Sequence, residues 1–233
     1  MSIVEEKKKI DNQNEMGCSK EIKRHQMLYP NERVVAFLAR NYPNFNENRD
    51  KRTVDIGFGS GRHFKLLMDY EFDTYGFDYS EDCVEIASNI LGNNERLKGL
   101  KKADLRDKPY ENEFFDVIIC YGTIFYRKID EMLEDLKLVN SMMKKGGKMI
   151  NNFRTKDDHL YGKGKKIDDN TYILDKLTGA YKDISYTFLT SQEAEELLNK
   201  AGFSIESKER SDLWKNNLSE KHTWWIFSVR KEK

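Results

Sequence analysis

The feature that most constrains the fold of this chain is a short apolar run that leads into three alternating glycines. Residues 53 to 62 read Thr-Val-Asp-Ile-Gly-Phe-Gly-Ser-Gly-Arg, and a helical pattern follows directly. The apolar run favours a β-strand, and the glycines allow a sharp turn that a ligand can approach closely. Free N–H groups at the start of the helix favour a polar or anionic ligand group. The segment therefore predicts a ligand-binding turn or, as the alternative, a turn that only lets strand and helix pack tightly.

Length and charge limit the classes of protein to which this chain can belong. Its 233 residues suit one α/β domain, alone or with a small appendage. Forty basic residues balance forty acidic ones, so overall charge gives no case for a nucleic-acid or membrane partner. Cys18, Cys83 and Cys120 are odd in number and widely spaced, which indicates reduced thiols. Without a signal peptide or a long apolar run, we expect a soluble, cytoplasmic protein.

Strand and helix patterns alternate along most of the chain after residue 50. Strands are predicted at 52–57, 74–78, 97–103, 114–120 and 148–153, and helices at 62–70, 80–91 and 128–144. Alternating β and α units predict an α/β, Rossmann-like fold, with a doubly wound, mostly parallel sheet and helices on both faces. Two later strands, at 203–207 and 223–229, lack a clear crossover helix between them, which favours an antiparallel last strand. Ligands bind such sheets outside the carboxyl ends of the strands, where the glycine turn lies.

The chain is predicted to divide into an N-terminal arm with a helical cap, at 1–50, and a main domain at 51–233. In the cap, Pro30 breaks the helical pattern and Asn31 is placed to begin the second helix. A polar segment at about 154–189 is too long for an ordinary connection, so we expect a substrate-side insertion there.

Two helix ends carry local signals. Gly146 and Gly147 are expected to end the helix at 128–144, since glycine is the usual residue just after a helix. Thr190 or Ser191 is expected to begin the helix at 191–201, with Glu193 or Glu195 nearby.

Acidic residues at strand ends indicate which ligand the glycine turn holds. Asp78 ends the second strand, 17 residues beyond Gly61, near the separation at which an acid binds ribose hydroxyls. Arg62 stands where a dinucleotide fingerprint needs its third glycine, which weakens a pyrophosphate interpretation. Asp55 and Asp104 add carboxylates near the turn and after the third strand. These residues favour a nucleoside ligand other than a dinucleotide.

With this glycine turn and these acidic residues, the chain resembles the class I S-adenosylmethionine-dependent methyltransferases of the small-molecule type. The resemblance covers most of residues 50 to 230. The resemblance implies a seven-stranded sheet with an antiparallel last strand, and S-adenosylmethionine as cofactor. It also implies a set of cofactor-binding residues: Asp55, Gly57, Gly59, Gly61, Arg62, His63, Asp78, Tyr79, Asp104, Leu105 and Tyr121. Two acids have an alternative role, because Asp78 could cap the helix from Ser80 and Asp104 could be a solvated turn residue.

Residues after the fourth strand exclude several kinds of chemistry. The segment from Cys120 to Tyr126 has no Asn or Asp followed by two prolines, so methylation of DNA bases is not expected. It also lacks the aspartate of metal-dependent relatives, and we predict no metal. Cys120 ends an apolar strand and is expected to be a buried, inert thiol. The candidate catalytic bases are His25, Tyr29 and Tyr126, while His63, His159 and His222 are expected to be structural or near the cofactor.

The insertion is the best guide to the acceptor. Arg154, Tyr161 and Tyr172 are predicted to bind a small acceptor that is anionic or rich in hydroxyls, although a solvated charged loop is the alternative. The expected reaction is methyl transfer to an oxygen or nitrogen of a small polar metabolite. The alternatives are an RNA methyltransferase, which the neutral charge disfavours, and a nucleoside-binding regulatory domain without catalysis.

Overall fold

The computed structural model describes residues 22–23, 26–175 and 182–232. Its strands are β1 Arg52–Ile56, β2 Asp73–Asp78, β3 Leu97–Lys102, β4 Phe115–Cys120, β5 Met143–Thr155, β6 Lys165–Lys166, β7 Thr171–Ile173, β8 Ser185–Leu189, β9 Phe203–Lys215 and β10 Glu220–Lys231. Its helices are α1 Glu32–Asn41, α2 Phe64–Asp69, α3 Glu81–Leu91, α4 Ile129–Met142 and α5 Ser191–Lys200. Short 3₁₀ turns lie at Phe45–Asn48, Leu105–Asp107 and Ile124–Tyr126.

The main sheet has the order β3-β2-β1-β4-β5, with every neighbouring pair parallel. Strand β10 follows on the far side of β5 and is antiparallel to both β5 and β9. The α/β class, the mostly parallel sheet and the antiparallel last strand are therefore confirmed. The described strands number ten rather than the predicted seven, because β6, β7 and β8 form a small antiparallel addition that joins the end of β5.

The sheet is buried on both faces because its central strands carry apolar side chains at consecutive positions. Val117, Ile118 and Ile119 of β4 are all fully buried. Ile118 packs with α4 and α5 on one face, whereas Val117 and Ile119 pack with α1 and α2 on the other. Helices cover both faces, as predicted. No helix in the described part of the chain is long and apolar enough to cross a membrane.

The parallel strands bring several distant segments to one edge of the sheet. The glycine turn follows β1, Asp78 ends β2, and Tyr121 follows β4. The end of β5 lies at the same carboxyl edge, and so does the start of the antiparallel β10. This edge is where a doubly wound sheet binds its ligands.

The two glycines after α4 have a different role from the one predicted. The helix ends at Met142, and β5 begins at Met143 with extended backbone, so neither glycine caps it. Gly146, with φ of +74°, lies inside β5, whose pairing with β4 shifts register between Phe115 and Val117. The prediction of a glycine cap is wrong because the positive φ serves an irregularity of the strand.

Two other helix starts follow the sequence prediction. The Asn31 side chain accepts a hydrogen bond from the N–H of Arg33 at the start of α1. Thr190 and Glu193 form a reciprocal capping box at the start of α5. Helix α1 packs on the sheet through Val34, Phe37 and Leu38, and the domain boundary at residue 50 stays a prediction.

Candidate active site

The glycine turn has one closed side and one open side. Gly57, Gly59 and Gly61 all have positive φ, at +64°, +58° and +77°. A Cβ added at Gly57 would lie 2.6 Å from Thr123, so that side of the turn is filled. At Gly59 the only atom within 4 Å of such a Cβ is Cδ1 of Ile22, at 3.8 Å, among the described residues. A ligand can therefore approach the backbone from the Gly59 side.

Asp78 connects the end of β2 to this turn. Its buried carboxylate accepts hydrogen bonds from the N–H of Gly59 and the N–H of Ser80, each at 3.0 Å. Burial raises the pKa of Asp78, and these two hydrogen bonds oppose the rise. Each carboxylate oxygen can accept a second hydrogen bond. Asp78 therefore binds the residue that precedes α3, Ser80, rather than an N–H of the helix itself, and a contact with ribose hydroxyls stays compatible with this arrangement.

A buried carboxylate and imidazole lie beneath the turn. The Asp55 carboxylate is 3.0 Å from Nδ1 of His63, and both side chains are almost fully buried. Because a carboxylate only accepts, the proton of a neutral His63 sits on Nδ1 and leaves Nε2 as an acceptor. Nε2 is buried without a hydrogen-bond partner in the part of the chain that the structure describes. A bound polar group could satisfy it.

Arg62 and Tyr121 complete the group around Asp55 and His63. The rings of Tyr121 and His63 meet edge to face, 6.5 Å apart. Burial lowers the pKa of Arg62, while the nearby Asp55 and Tyr121 act to raise it. Four predicted cofactor-binding residues therefore lie together at the carboxyl edge.

The N-terminal segment covers part of the turn. The Ser60 hydroxyl donates to the Met27 carbonyl, and the Arg62 guanidinium contacts the Met27 sulfur at 3.3 Å. Tyr29, a candidate base, has a side chain exposed by 84%. The other candidate in this segment, His25, lies outside the described residues. Their catalytic roles stay predictions.

Asp104 belongs to a fixed ionic network. Its side chain caps the turn at Leu105–Asp107 by accepting from the N–H of Arg106, and it pairs with Arg127 at 2.5 Å. The buried Asp135 of α4 contacts both arginines, at 3.1 and 3.7 Å. Burial raises the pKa of Asp135, and the two arginines oppose the rise. Asp104 is thus a capping residue, and its contact with adenine stays a prediction.

Three further predicted residues lie at the same edge. Tyr79 follows Asp78 directly and is half-buried, as is Leu105. Tyr126 is half-buried between Phe125 and Tyr186, with ring centroids 4.8 and 5.0 Å away. Their functional roles stay predictions. The Cys120 thiol is buried, as expected, and burial raises its pKa to about 12.

Arg154 is enclosed rather than open to an acceptor. Its Nη1 donates to Oδ2 of Asp158 at 2.7 Å, and the residue is 4% exposed. The guanidinium lies over three rings at 4.7 to 5.5 Å, those of Tyr186, Trp224 and Phe125. The sequence predicts that Arg154 binds an anionic acceptor. In the structure its guanidinium instead pairs with Asp158 of the same chain. Binding of the acceptor by Arg154 stays a prediction.

Tyr161 and Tyr172 lie together in an aromatic cluster with Phe188. The two tyrosine rings are 5.4 Å apart, and each is within 6.3 Å of Phe188. Tyr172 is buried and Tyr161 is half-buried, so the cluster fastens β7 and β8 to the loop before them. Their contact with an acceptor stays a prediction.

Two groups at this edge were not predicted from the sequence. Asn152 of β5 accepts from the N–H of Gly122 at 2.7 Å and so fixes the loop after β4. Asp158, His159 and His222 form a compact cluster, with the two imidazole centroids 4.3 Å apart. Burial lowers the pKa of His222 to about 4, although Asp158 acts to raise it. Only the buried position of Asn152 within a strand could have indicated its role beforehand.

The amino-acid sequence matches a known protein family. The sequence profile of a methyltransferase domain matches residues 24–208, which is most of the chain. The chain belongs to this methyltransferase family.

Several solved structures share the fold of this methyltransferase. A methyltransferase from Methanosarcina mazei, described as dependent on S-adenosylmethionine, has a TM-score of 0.69 and 16% identity, over 84% of this chain and 97% of that one. An N1-methyltransferase from Burkholderia thailandensis, solved with 1,6-didemethyltoxoflavin and S-adenosylhomocysteine, has a TM-score of 0.60 and 17% identity, over 85% and 76%.

A curated relative matches a shorter stretch. Over 97 residues the methyltransferase is 27% identical to a protein-lysine N-methyltransferase of Saccharomyces cerevisiae. The match spans 40% of this chain and 42% of the yeast enzyme, so it covers less than half of each.

Proposed function

We propose that this methyltransferase uses S-adenosylmethionine to methylate an oxygen or nitrogen of a small polar metabolite, such as a sugar or a nucleotide-linked or phosphorylated compound. The observation that carries the cofactor assignment is the hydrogen bond between the Gly59 N–H and the buried Asp78 carboxylate. It holds the glycine turn against the end of β2, so that one nucleoside can contact both.

The residues at the carboxyl edge fit the three parts of this cofactor. Asp78 would accept from the ribose hydroxyls and Asp104 from the adenine amino group, while the open side of the glycine turn would face the methionine part, between Arg62 and His63. When bound, the cofactor supplies a methyl group on a sulfonium, which is an activated electrophile. The main contribution of the protein is therefore to align the acceptor atom with the methyl–sulfur bond.

Tyr121 is suited to hydrogen bonding rather than to proton removal. Burial raises the pKa of Tyr121 to about 12, although Arg62 and Arg33 act to lower it. Its hydroxyl therefore stays protonated at neutral pH and can orient a polar acceptor. An amine acceptor need only be held unprotonated, whereas an alcohol needs a general base. For that role Tyr126, Tyr29 and His25 stay the candidates.

A lysine side chain of a protein is the second candidate acceptor. The match to the yeast protein-lysine N-methyltransferase favours it, over the 97 residues that the two chains share. We rank it second because the match covers less than half of the yeast enzyme.

Three measurements test the proposal. Calorimetry should show binding of S-adenosylhomocysteine to the purified protein and no binding of NAD, and the opposite result would refute the cofactor assignment. Asp78→Ala should abolish the binding of S-adenosylhomocysteine while the circular dichroism spectrum is kept. Asp69→Ala is the matched control, because this exposed carboxylate on α2 pairs only with Lys65 among the described residues.

Transfer of labelled methyl groups to panels of small molecules and to protein extracts then distinguishes a small-molecule acceptor from a protein lysine.

A further inference from the structure

Three side chains able to bind a metal meet beside the end of β5 and the start of β10. Asp158 and His159 lie in the connection after β5, and His222 lies in β10. One ligand atom from each of the three lies within 4.8 Å of the others. From this geometry we infer, against the sequence-based expectation of no metal, that Asp158, His159 and His222 bind one divalent first-row metal ion of the Zn²⁺ type. Two imidazoles and one carboxylate are the ligand set that such ions take in catalytic sites.

The spacing of the polar atoms fits a shared ion. Nδ1 of His159 lies 3.5 Å from Oδ1 of Asp158, and it is buried without a hydrogen-bond partner among the described residues. Ligand atoms about 2.0 to 2.1 Å from a tetrahedral ion are about 3.3 Å from one another. The two atoms are thus farther apart than in a good hydrogen bond and close to the separation of two ligands. A cation between them would satisfy the buried nitrogen.

The Asp158 carboxylate is held in a fixed orientation. Oδ2 accepts from the Arg154 guanidinium at 2.7 Å and from the N–H of Thr223 at 2.9 Å. Oδ1 accepts one bond, from the N–H of Leu160 at 2.9 Å, and keeps its second lone pair on the side of His159. The arginine and the ion would therefore use different oxygens of one carboxylate.

The two histidines are held in a similar way. The backbone N–H of His159 donates to the backbone carbonyl of Lys221 at 2.8 Å, which ties the connection after β5 to β10 without contacting the imidazole ring. Nε2 of His222 lies 3.6 Å from the Glu220 carboxylate. A carboxylate beside one ring nitrogen orients the other nitrogen toward a metal and raises its basicity. The cluster therefore has the ligands of a metal site, with outer contacts to Asp158 and to His222.

Three protein ligands leave a fourth position for water or for an oxygen of another molecule. The cluster lies at the carboxyl edge of the sheet, as does the glycine turn. The positive charge of Arg154 next to the carboxylate lowers the affinity for any cation. We therefore expect a site that exchanges its ion, rather than one on which folding depends.

Titration of the full chain with Zn²⁺, after treatment with a chelator, tests the inference. We expect one saturable ion per chain by calorimetry, and an intense visible absorption of four-coordinate Co²⁺ when Co²⁺ replaces Zn²⁺. His159→Gln and His222→Gln should each raise the dissociation constant at least tenfold, on the order of one ligand lost. His63→Gln is the matched control, since His63 also sits beside a buried aspartate and should leave the metal affinity unchanged.

Folding must be checked in each variant by circular dichroism. His159→Gln is the more informative change, because this side chain is 14% exposed and its loss disturbs the core least. The inference is overturned if the wild-type chain shows no saturable binding, or if a chain with both histidines replaced binds Zn²⁺ equally well. Neither cofactor nor methyl acceptor is present in this experiment, so its result does not depend on the proposed function.

Discussion

At the scale of single residues, Gly57 is a position of the glycine turn where two requirements coincide. Its φ is +64°, and a Cβ there would lie 2.6 Å from both Cγ2 and Oγ1 of Thr123. Thr123 cannot easily move, because its hydroxyl donates to the Ile56 carbonyl at 2.8 Å. The turn therefore depends on the backbone freedom of the glycine and also on its missing side chain.

We expect Gly57→Ala to lower the free energy of unfolding by about 2–4 kcal/mol, from a left-handed backbone cost of about 1 kcal/mol and a steric cost of roughly 1–3 kcal/mol. Thr123→Ala removes both clashing atoms, so in a double-mutant cycle it should cancel most of the steric part. Chemical denaturation measures these differences. Gly146→Ala serves as control, since its φ is +74° with nothing within 4 Å among the described residues. Equal losses at Gly57 and Gly146 would rule out the clash.

At the scale of elements, the start of α5 is joined to the insertion by one side chain. Glu193 completes the capping box with Thr190, and it also accepts from the Asn170 amide and the Lys156 ammonium. Burial acts to raise the pKa of Glu193, but hydrogen bonds from Asn170, Thr190 and Lys156 outweigh it and lower the pKa to about 2. The ionised form therefore fastens α5 to β7 and to the end of β5.

This depressed pKa predicts a pH dependence with a definite sign. Because the folded chain holds the Glu193 proton more weakly than the unfolded chain does, its contribution is fully present above about pH 4.5 and disappears as pH falls toward 2. Glu193→Ala should lower the free energy of unfolding by about 1 kcal/mol at neutral pH, because the cap is lost. Near pH 2 the loss should be much smaller. Urea unfolding across this window measures it. Glu196→Ala, an exposed change on the same helix, should show no such trend.

The sequence predicts some elements better than others, for reasons of burial. Strand β4, predicted at 114–120, runs from Phe115 to Cys120, because five of its six residues are buried and its apolar run is strand-forming. Strand β9 was predicted to end at 207 but continues to Lys215, and β10 begins three residues earlier than predicted. The added part of β9 is largely exposed, and its Asp212 pairs across the strands with Lys221 of β10. Exposed pairing of this kind leaves no apolar alternation for a sequence pattern to detect.

At the scale of the whole molecule, topology decides which distant residues share the carboxyl edge. The meeting of the predicted cofactor-binding residues at one edge could be foreseen because they lie near the ends of recognisable strands, and parallel strands end at one edge. Their contact with the cofactor stays a prediction. The cluster of Asp158 and His222 could not, because it depends on how far β10 runs beside β5 and on a hydrogen bond from Thr223 that spans 65 positions. Arg154 was predicted to begin the insertion after a strand at 148–153, but it lies inside β5 and pairs with Asp158. This partner was not foreseen, since sequence alone does not distinguish an internal ion pair from an open clamp.

A ligand that contacts the ends of several strands should stabilise the whole fold, and its binding should therefore raise the melting temperature. S-adenosylhomocysteine at about 100 times its dissociation constant stabilises the folded chain by about 2.7 kcal/mol, which corresponds to a rise in Tm of roughly 5–10 °C for a domain of this size. Thermal unfolding followed by circular dichroism measures the shift. The Asp78→Ala variant should show no rise, while the Asp69→Ala control should keep the full rise. Asp78 lies at the end of β2, where it contacts the glycine turn. An equal rise in Tm for both variants would therefore mean that the ligand binds elsewhere.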